Sequence, residues 1–169
     1  MRSSFVLAAI ASYASAQQVG YYTQEFHAPL SLGECTHATG CVTQTKSVTM
    51  DANWRWTHKV NDYANCYSGT SWDTSVCTDG EACAKNCALD GIDQNALQGT
   101  YGITSTGSEL KMTLVTNGQY SKNVGGRMYM MQDANNYEMF KLRGKEFTFD
   151  VDVSQLPCGV NGALYFVEM

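Results

Sequence analysis

The segment KEFTFDVDVS alternates between apolar and polar side chains, with Phe147, Phe149, Val151 and Val153 on one face of an extended chain and Thr148, Asp150 and Asp152 on the other. Side chains switch faces at every residue of a strand but repeat every 3.6 residues on a helix, so this pattern buries one apolar face only as a β-strand. The same period of two recurs in the shorter runs SVTMDANWRWTH, TYGITS, ELKMTLVT, GRMYMM, YEMFKL and GALYFVEM. Turn residues punctuate them, as in TSTGS between Ile103 and Glu109 and LRGKE after Phe140. Many short strands joined by tight turns predict an all-β fold, a sandwich of two antiparallel sheets. The helical signal is weak, no more than a short turn around EACAKNCALD.

With two prolines and 15 glycines there is no Pro-rich linker, and no segment repeats at a fixed period. The chain reads as one domain or a piece of one, in three zones: an opening stretch to about Ser47, a cystine-rich zone from Asn61 to about Gly99, and a strand-dense remainder.

Residues 1–16, MRSSFVLAAIASYASA, have the layout of a secretion signal: basic Arg2, an apolar run from Phe5 to Ala11, and small Ala14 and Ala16 before the expected cut. That run is too short to span a bilayer. The mature chain, 17–169, is therefore expected to be exported, soluble and free of membrane contact. The formal net charge is -5, and loss of Arg2 makes it more negative. An acidic surface repels polyanions, which excludes nucleic acid as a partner and favours a neutral substrate. No Asn-x-Ser/Thr acceptor is present, so N-glycosylation is not expected.

Seven cysteines in an exported chain point to disulfides, and six of them fall between Cys35 and Cys87. The spacings Cys35 to Cys41 and Cys77 to Cys83 suit tight covalent loops. They do not match the close pairs of a zinc site, and His27, His37 and His58 form no ligand pattern with them. No metal or other cofactor is expected. Only Cys158 lies outside that zone, and an odd number of cysteines in an oxidised chain leaves one whose partner is expected elsewhere.

The strings DANWRWTH, NCYSGTSWD, CAKNCALDG, KNVGGRMYMM and FTFDVDVSQLPCGVNGALYFVEM, in this order, closely resemble the N-terminal part of family 7 glycoside hydrolases, the secreted fungal and protist cellulases. The resemblance covers essentially all of the mature chain. It implies a concanavalin-like jelly-roll sandwich of two curved antiparallel sheets, here only its N-terminal part, whose concave face binds cellulose or a related β-1,4-glucan. It also implies the bridges Cys35–Cys41, Cys66–Cys87 and Cys77–Cys83, with Cys158 paired beyond Met169. Many members carry a further bridge between the mature N-terminus and the position matching Ala88; here GYYTQEF has no cysteine either, so both partners are absent together. A monomer is expected.

The family implies hydrolysis with retention, in which one carboxylate attacks the anomeric carbon and a second protonates the leaving oxygen, the two lying about 5–5.5 Å apart. Its catalytic motif, Glu-x-Asp-x-x-Glu, needs two glutamates five positions apart. Glu25, Glu34, Glu81, Glu109, Glu138, Glu146 and Glu168 offer no such pair. The catalytic residues are thus expected downstream of Met169, and the chain alone is expected to be inactive and, with its strand edges unpaired, to fold poorly. Asp150 and Asp152 share a strand face and have the spacing for a substitute pair, but acids on a solvated strand face are ordinary, and the structural reading is preferred.

A glucan is a ribbon with apolar C–H faces and hydroxyl edges, suited to flat aromatic rings flanked by polar groups. In a strand, Trp54 and Trp56 would present two indoles on the same side, and the resemblance makes them sugar-stacking platforms; the bland alternative is two core residues. Asn123 and Arg127 match residues that hydrogen-bond sugar hydroxyls, with Arg127 and Tyr129 on one strand face and Met128 and Met130 on the other; a solvated arginine is the alternative. Asn161 and Tyr165 match groove-lining residues. Tyr101 matches a loop tyrosine, although the DGIDQNALQGTYG before it is longer than in familiar members.

NCYSGTSWD, the tryptophan pair and NVGGR look more like cellobiohydrolases than endoglucanases of the family. A non-catalytic glucan-binding module, built as a lectin is, is the competitor from another class, and a cystine-stabilised adhesion protein without sugar affinity is a third.

Overall fold

The structure, a computed structural model, describes residues 17–119 and 121–168; the expected secretion signal lies outside the described residues. In chain order the strands are β1 (Gln18–Val19), β2 (Ala28–Pro29), β3 (Leu32–Thr36), β4 (Gly40–Gln44), β5 (Ser47–Met50), β6 (Thr57–Lys59), β7 (Cys87–Leu89), β8 (Ile103–Ser105), β9 (Leu110–Met112), β10 (Val115–Asn117), β11 (Lys122–Val124) and β12 (Met128–Met131). Two short α-helices, α1 (Gly80–Asn86) and α2 (Gln94–Gly99), and a 3-10 turn over Ala52–Trp54 complete the regular structure among the described residues. The fold is all-β, as the alternation predicts. No helix among the described residues is long and apolar enough to cross a membrane.

The chain divides into two compact units. The first comprises the described residues up to Glu25 together with Ala52–Asp93. Its sheet has the order β1-β7-β6, with β1 parallel and β6 antiparallel to β7. Disulfides Cys66–Cys87 and Cys77–Cys83 staple it, and Cys66, Val76, Cys77 and Cys87 form its buried cluster. Sulfurs of Cys66, Cys77 and Cys87 lie within 4.8 Å of one another, but all three belong to disulfides, and a metal requires thiolates. Helix α1 starts where Asp79 accepts a hydrogen bond from the Ala82 N–H at 2.8 Å, with Glu81 in its first turn and Lys85 in its last.

Without the cysteine that the resemblance associates with this region, the N-terminal segment is tied down by Asp90. Its carboxylate accepts from the backbone of Thr23 at 2.8 Å, of Gly91 at 3.0 Å and of Tyr22 at 3.4 Å. His58 Nε2 meets the same carboxylate at 2.8 Å, and both side chains are only 1% exposed. Nearby, Arg55 forks onto both oxygens of Glu25 at 2.5 and 2.7 Å, and the Ile92 N–H donates to the same carboxylate. Buried charge is tolerated here because each carboxylate is hydrogen-bonded several times over.

The second unit is Phe26–Asp51 with Gln94 onward. Its central sheet, β12-β5-β2, is antiparallel, with Met128 opposite Met50 and Met131 opposite Ser47. Three hairpins accompany it: β3–β4, β8–β9 and β10–β11. Cys35 and Cys41 sit directly opposite each other in β3–β4 and are bridged. Ala28, Val48, Met50, Leu97, Ile103 and Met131 form the buried apolar residues of this unit.

Three expectations about elements are corrected. DANWRWTH is not a continuous strand, because a 3-10 turn over Ala52–Trp54 interrupts it before β6. The two indoles are therefore not successive side chains on one strand face. Helix α2 was not anticipated; it uses DQNALQG and anchors itself with the one buried side chain Leu97. The runs YEMFKL, KEFTFDVDVS and GALYFVEM form no ladder among the described residues beyond the single bridge Met131 to Tyr137. Alternation selects the face a residue takes, but a ladder also requires a neighbour within about 4.7–4.9 Å. Val151, Leu164 and Val167 are left exposed. The aromatic members still collect, with Phe140, Phe147 and Phe166 meeting edge-on at centroid distances of 5.1 to 5.7 Å.

Candidate functional site

In the first unit the aromatic site is built around Trp56. Its indole N–H donates to Asn65 Oδ1 at 2.7 Å, and its ring packs beside His58 at 4.3 Å and Tyr22 at 6.0 Å. Tyr63 stacks on Tyr22 at 4.2 Å with an interplanar angle of 20°. The bonded indole edge cannot rotate freely, so the ring plane is set before any ligand arrives. Trp54 closes the 3-10 turn, and both tryptophans are half-buried rather than lost in a core.

In the second unit, β5 and β12 position a polar cluster. The Asp51 N–H donates to the Arg127 carbonyl at 2.9 Å, carrying the pairing one step past Met50 opposite Met128. The Arg127 side chain returns across the pair: Nε and Nη2 both donate to Asp51 Oδ2, at 2.9 and 2.8 Å. The Arg127 guanidinium carbon lies 5.8 Å from the Tyr129 ring centre. Asp51 holds the guanidinium above its ordinary value, with Tyr165 contributing a second hydrogen bond. Burial, followed by a hydrogen bond to Asp51, raises the Tyr129 phenol.

Of the residues singled out from sequence, Tyr165 is among the groups that raise Arg127, although it lies in a segment without regular structure and is 57% exposed. Its neighbour Phe166 turns instead to Phe140 and Phe147, the opposition of faces that the alternation predicts. Asn123 lies in β11 and donates to the Gly125 carbonyl at 2.9 Å. Asn161 is exposed, and Tyr101 is half-buried just after α2, with its backbone N–H on the Ala96 carbonyl. Asp51 and Asn65 escaped sequence reasoning. Their partners are set by strand register and loop closure, which leave no local mark in the sequence.

Asp150 and Asp152 are both exposed. The Ser154 hydroxyl, with the Ser154 N–H at 2.9 Å, holds the Asp152 carboxyl below the usual carboxylate range. A catalytic acid needs the opposite shift. Cys158 is exposed and unpaired in this structure.

What the two clusters share is chemistry for an uncharged polyhydroxyl ligand: fixed aromatic rings, amides, phenols and one arginine already neutralised by a carboxylate. A family model described as Glycosyl hydrolase family 7 matches residues 19–169. Among solved structures, a cellobiohydrolase of this family from Daphnia pulex is 39% identical with a TM-score of 0.65, over 68% of this chain and 26% of that one. A cellobiohydrolase from Melanocarpus albomyces complexed with cellotetraose is 38% identical with a TM-score of 0.61, over 67% and 25%. An endoglucanase I complexed with cellobiose is 33% identical with a TM-score of 0.54, over 67% and 27%. The chain spans about a quarter of the length of these structures.

Proposed function

Because the chain belongs to glycosyl hydrolase family 7, we propose that it serves cellulose degradation, forming part of the substrate path of an extracellular, monomeric retaining cellulase of the cellobiohydrolase type. The observation that carries this reading is the Arg127 guanidinium next to β12, held by two hydrogen bonds on Asp51 Oδ2 beside the Tyr129 ring. A guanidinium, two phenols and an adjoining aromatic ring suit the hydroxyl edge and C–H face of a glucose unit. Trp56, with its indole edge fixed by Asn65, is assigned a stacking role, together with Trp54. Asn123, Asn161 and Tyr101 are assigned supporting polar contacts.

The higher identity to the cellobiohydrolases, 39 and 38% against 33% for the endoglucanase, favours the first type. Bond cleavage with retention needs a carboxyl pair about 5–5.5 Å apart, and no two glutamates here stand at the family spacing. The residues of this chain are therefore assigned to binding and orientation.

The test is calorimetric titration of the purified protein with cellotetraose. Trp56→Ala is expected to weaken cellotetraose binding about tenfold, the scale of one lost aromatic platform. No affinity for cellotetraose or cellulose overturns the proposal. Cellotetraose affinity that Trp56→Ala leaves unchanged overturns the stacking role assigned to Trp56.

A further inference from the structure

Residue 51 follows β5 and residue 127 precedes β12, so the antiparallel register places them as the next cross-strand pair at the margin of the sheet. The carboxylate is the buried partner, with an Asp51 side chain 11% exposed against 38% for Arg127. Two donors of one guanidinium on one oxygen, at 2.8 and 2.9 Å, fix the plane of the group, while the Tyr129 ring lies beside it. An arginine side chain carries much rotamer entropy, and a ligand that must order it loses affinity by that amount. Here the ordering is completed within the fold. The carboxylate also cancels the local positive charge, so hydroxyls are bound without attraction for anionic sugars.

We propose that Asp51 is a positioning and specificity-determining residue: it holds Arg127 in the orientation that receives a neutral glucan and suppresses binding of acidic oligosaccharides. This rests on the reading of Arg127 as a sugar contact. Asp51 itself does not touch the sugar.

The experiment compares the parent protein with Asp51→Asn, Asp51→Ala, Asp51→Glu, Arg127→Ala and the Asp51→Asn/Arg127→Ala double variant. Each is titrated with cellotetraose and with a carboxymethylated cello-oligosaccharide. Asp51→Asn, which keeps the shape but loses the charge, is expected to weaken cellotetraose binding about fivefold to twentyfold, the scale of a lost charge-assisted hydrogen bond. It is expected to strengthen binding of the carboxymethylated ligand, to cost nothing further when Arg127 is already alanine, and to be partly rescued by Asp51→Glu. A merely structural role would lower both affinities together and would not invert the preference. Unchanged affinity in Asp51→Asn and Asp51→Ala, or an equal loss with and without Arg127, overturns this proposal alone. Failure of the parent to bind cellotetraose overturns it together with the proposed function.

Discussion

Gly102 turns the chain into β8 with φ of +67°, and a methyl added there would lie 2.1 Å from Thr116 Oγ1 and 2.8 Å from Thr113 Cβ. Gly107 also has positive φ, +94°, but a methyl there meets nothing within 4 Å. Gly102→Ala is therefore expected to cost about 3 kcal/mol and Gly107→Ala about 1 kcal/mol, because both bear the left-handed penalty and only the first adds a clash. Urea unfolding of the two variants checks the ordering, and equal midpoints would contradict it. At this scale the sequence marked residue types rather than partners. Trp56 and Arg127 stand out as chemistry-bearing residues, yet the Asn65 and Asp51 contacts that aim them depend on where the chain returns.

Bridges of different span stabilise different amounts. Cys66–Cys87 closes a separation of 21 residues inside the buried cluster, whereas Cys35–Cys41 closes one of 6 across an exposed hairpin. Loop-closure entropy puts them at about 3 and about 2 kcal/mol, and loss of buried packing enlarges the first. Replacing both members of each pair by alanine should lower the denaturation midpoint more for Cys66/Cys87; a larger fall for Cys35/Cys41 would refute this. Elements built from local contrast were legible: SVTM, GRMYMM and the turn before Glu109 lie where the alternation and turn chemistry put them. The Trp54 region was not, since its 3-10 turn keeps the apolar content of a strand while abandoning the strand period. Nor did KEFTFDVDVS reveal whether a neighbour would pair with it, because a ladder belongs to two segments and alternation describes only one.

Among the described residues, four carboxyl groups are held below their ordinary range by local hydrogen bonds. They are Asp73 by the Ser75 hydroxyl, Asp79 by the Ala82 N–H, Asp133 by the Asn135 N–H and Asp152 by the Ser154 hydroxyl. A lowered folded value means that the stabilisation is present above the unfolded carboxyl value, about 3.9, and is lost as pH falls through the folded value. The thermal midpoint is expected to stay level from about pH 7 to 5 and to drop below about pH 4, with Asp79→Asn reducing the drop. Calorimetric scans across that range provide the check, and a midpoint that rises on acidification would overturn it. The sequence by itself determined the all-β class, through its period of two, and the kinship, through ordered strings of residues that a shared fold preserves. It also singled out the side chains proposed to meet a sugar. Only the tertiary structure decided that Arg127 pairs with Asp51, that Asp90 gathers the N-terminal segment, and that the tryptophans leave the strand. Those contacts join residues distant along the chain, and their geometry follows from register and closure, which no local window of sequence contains.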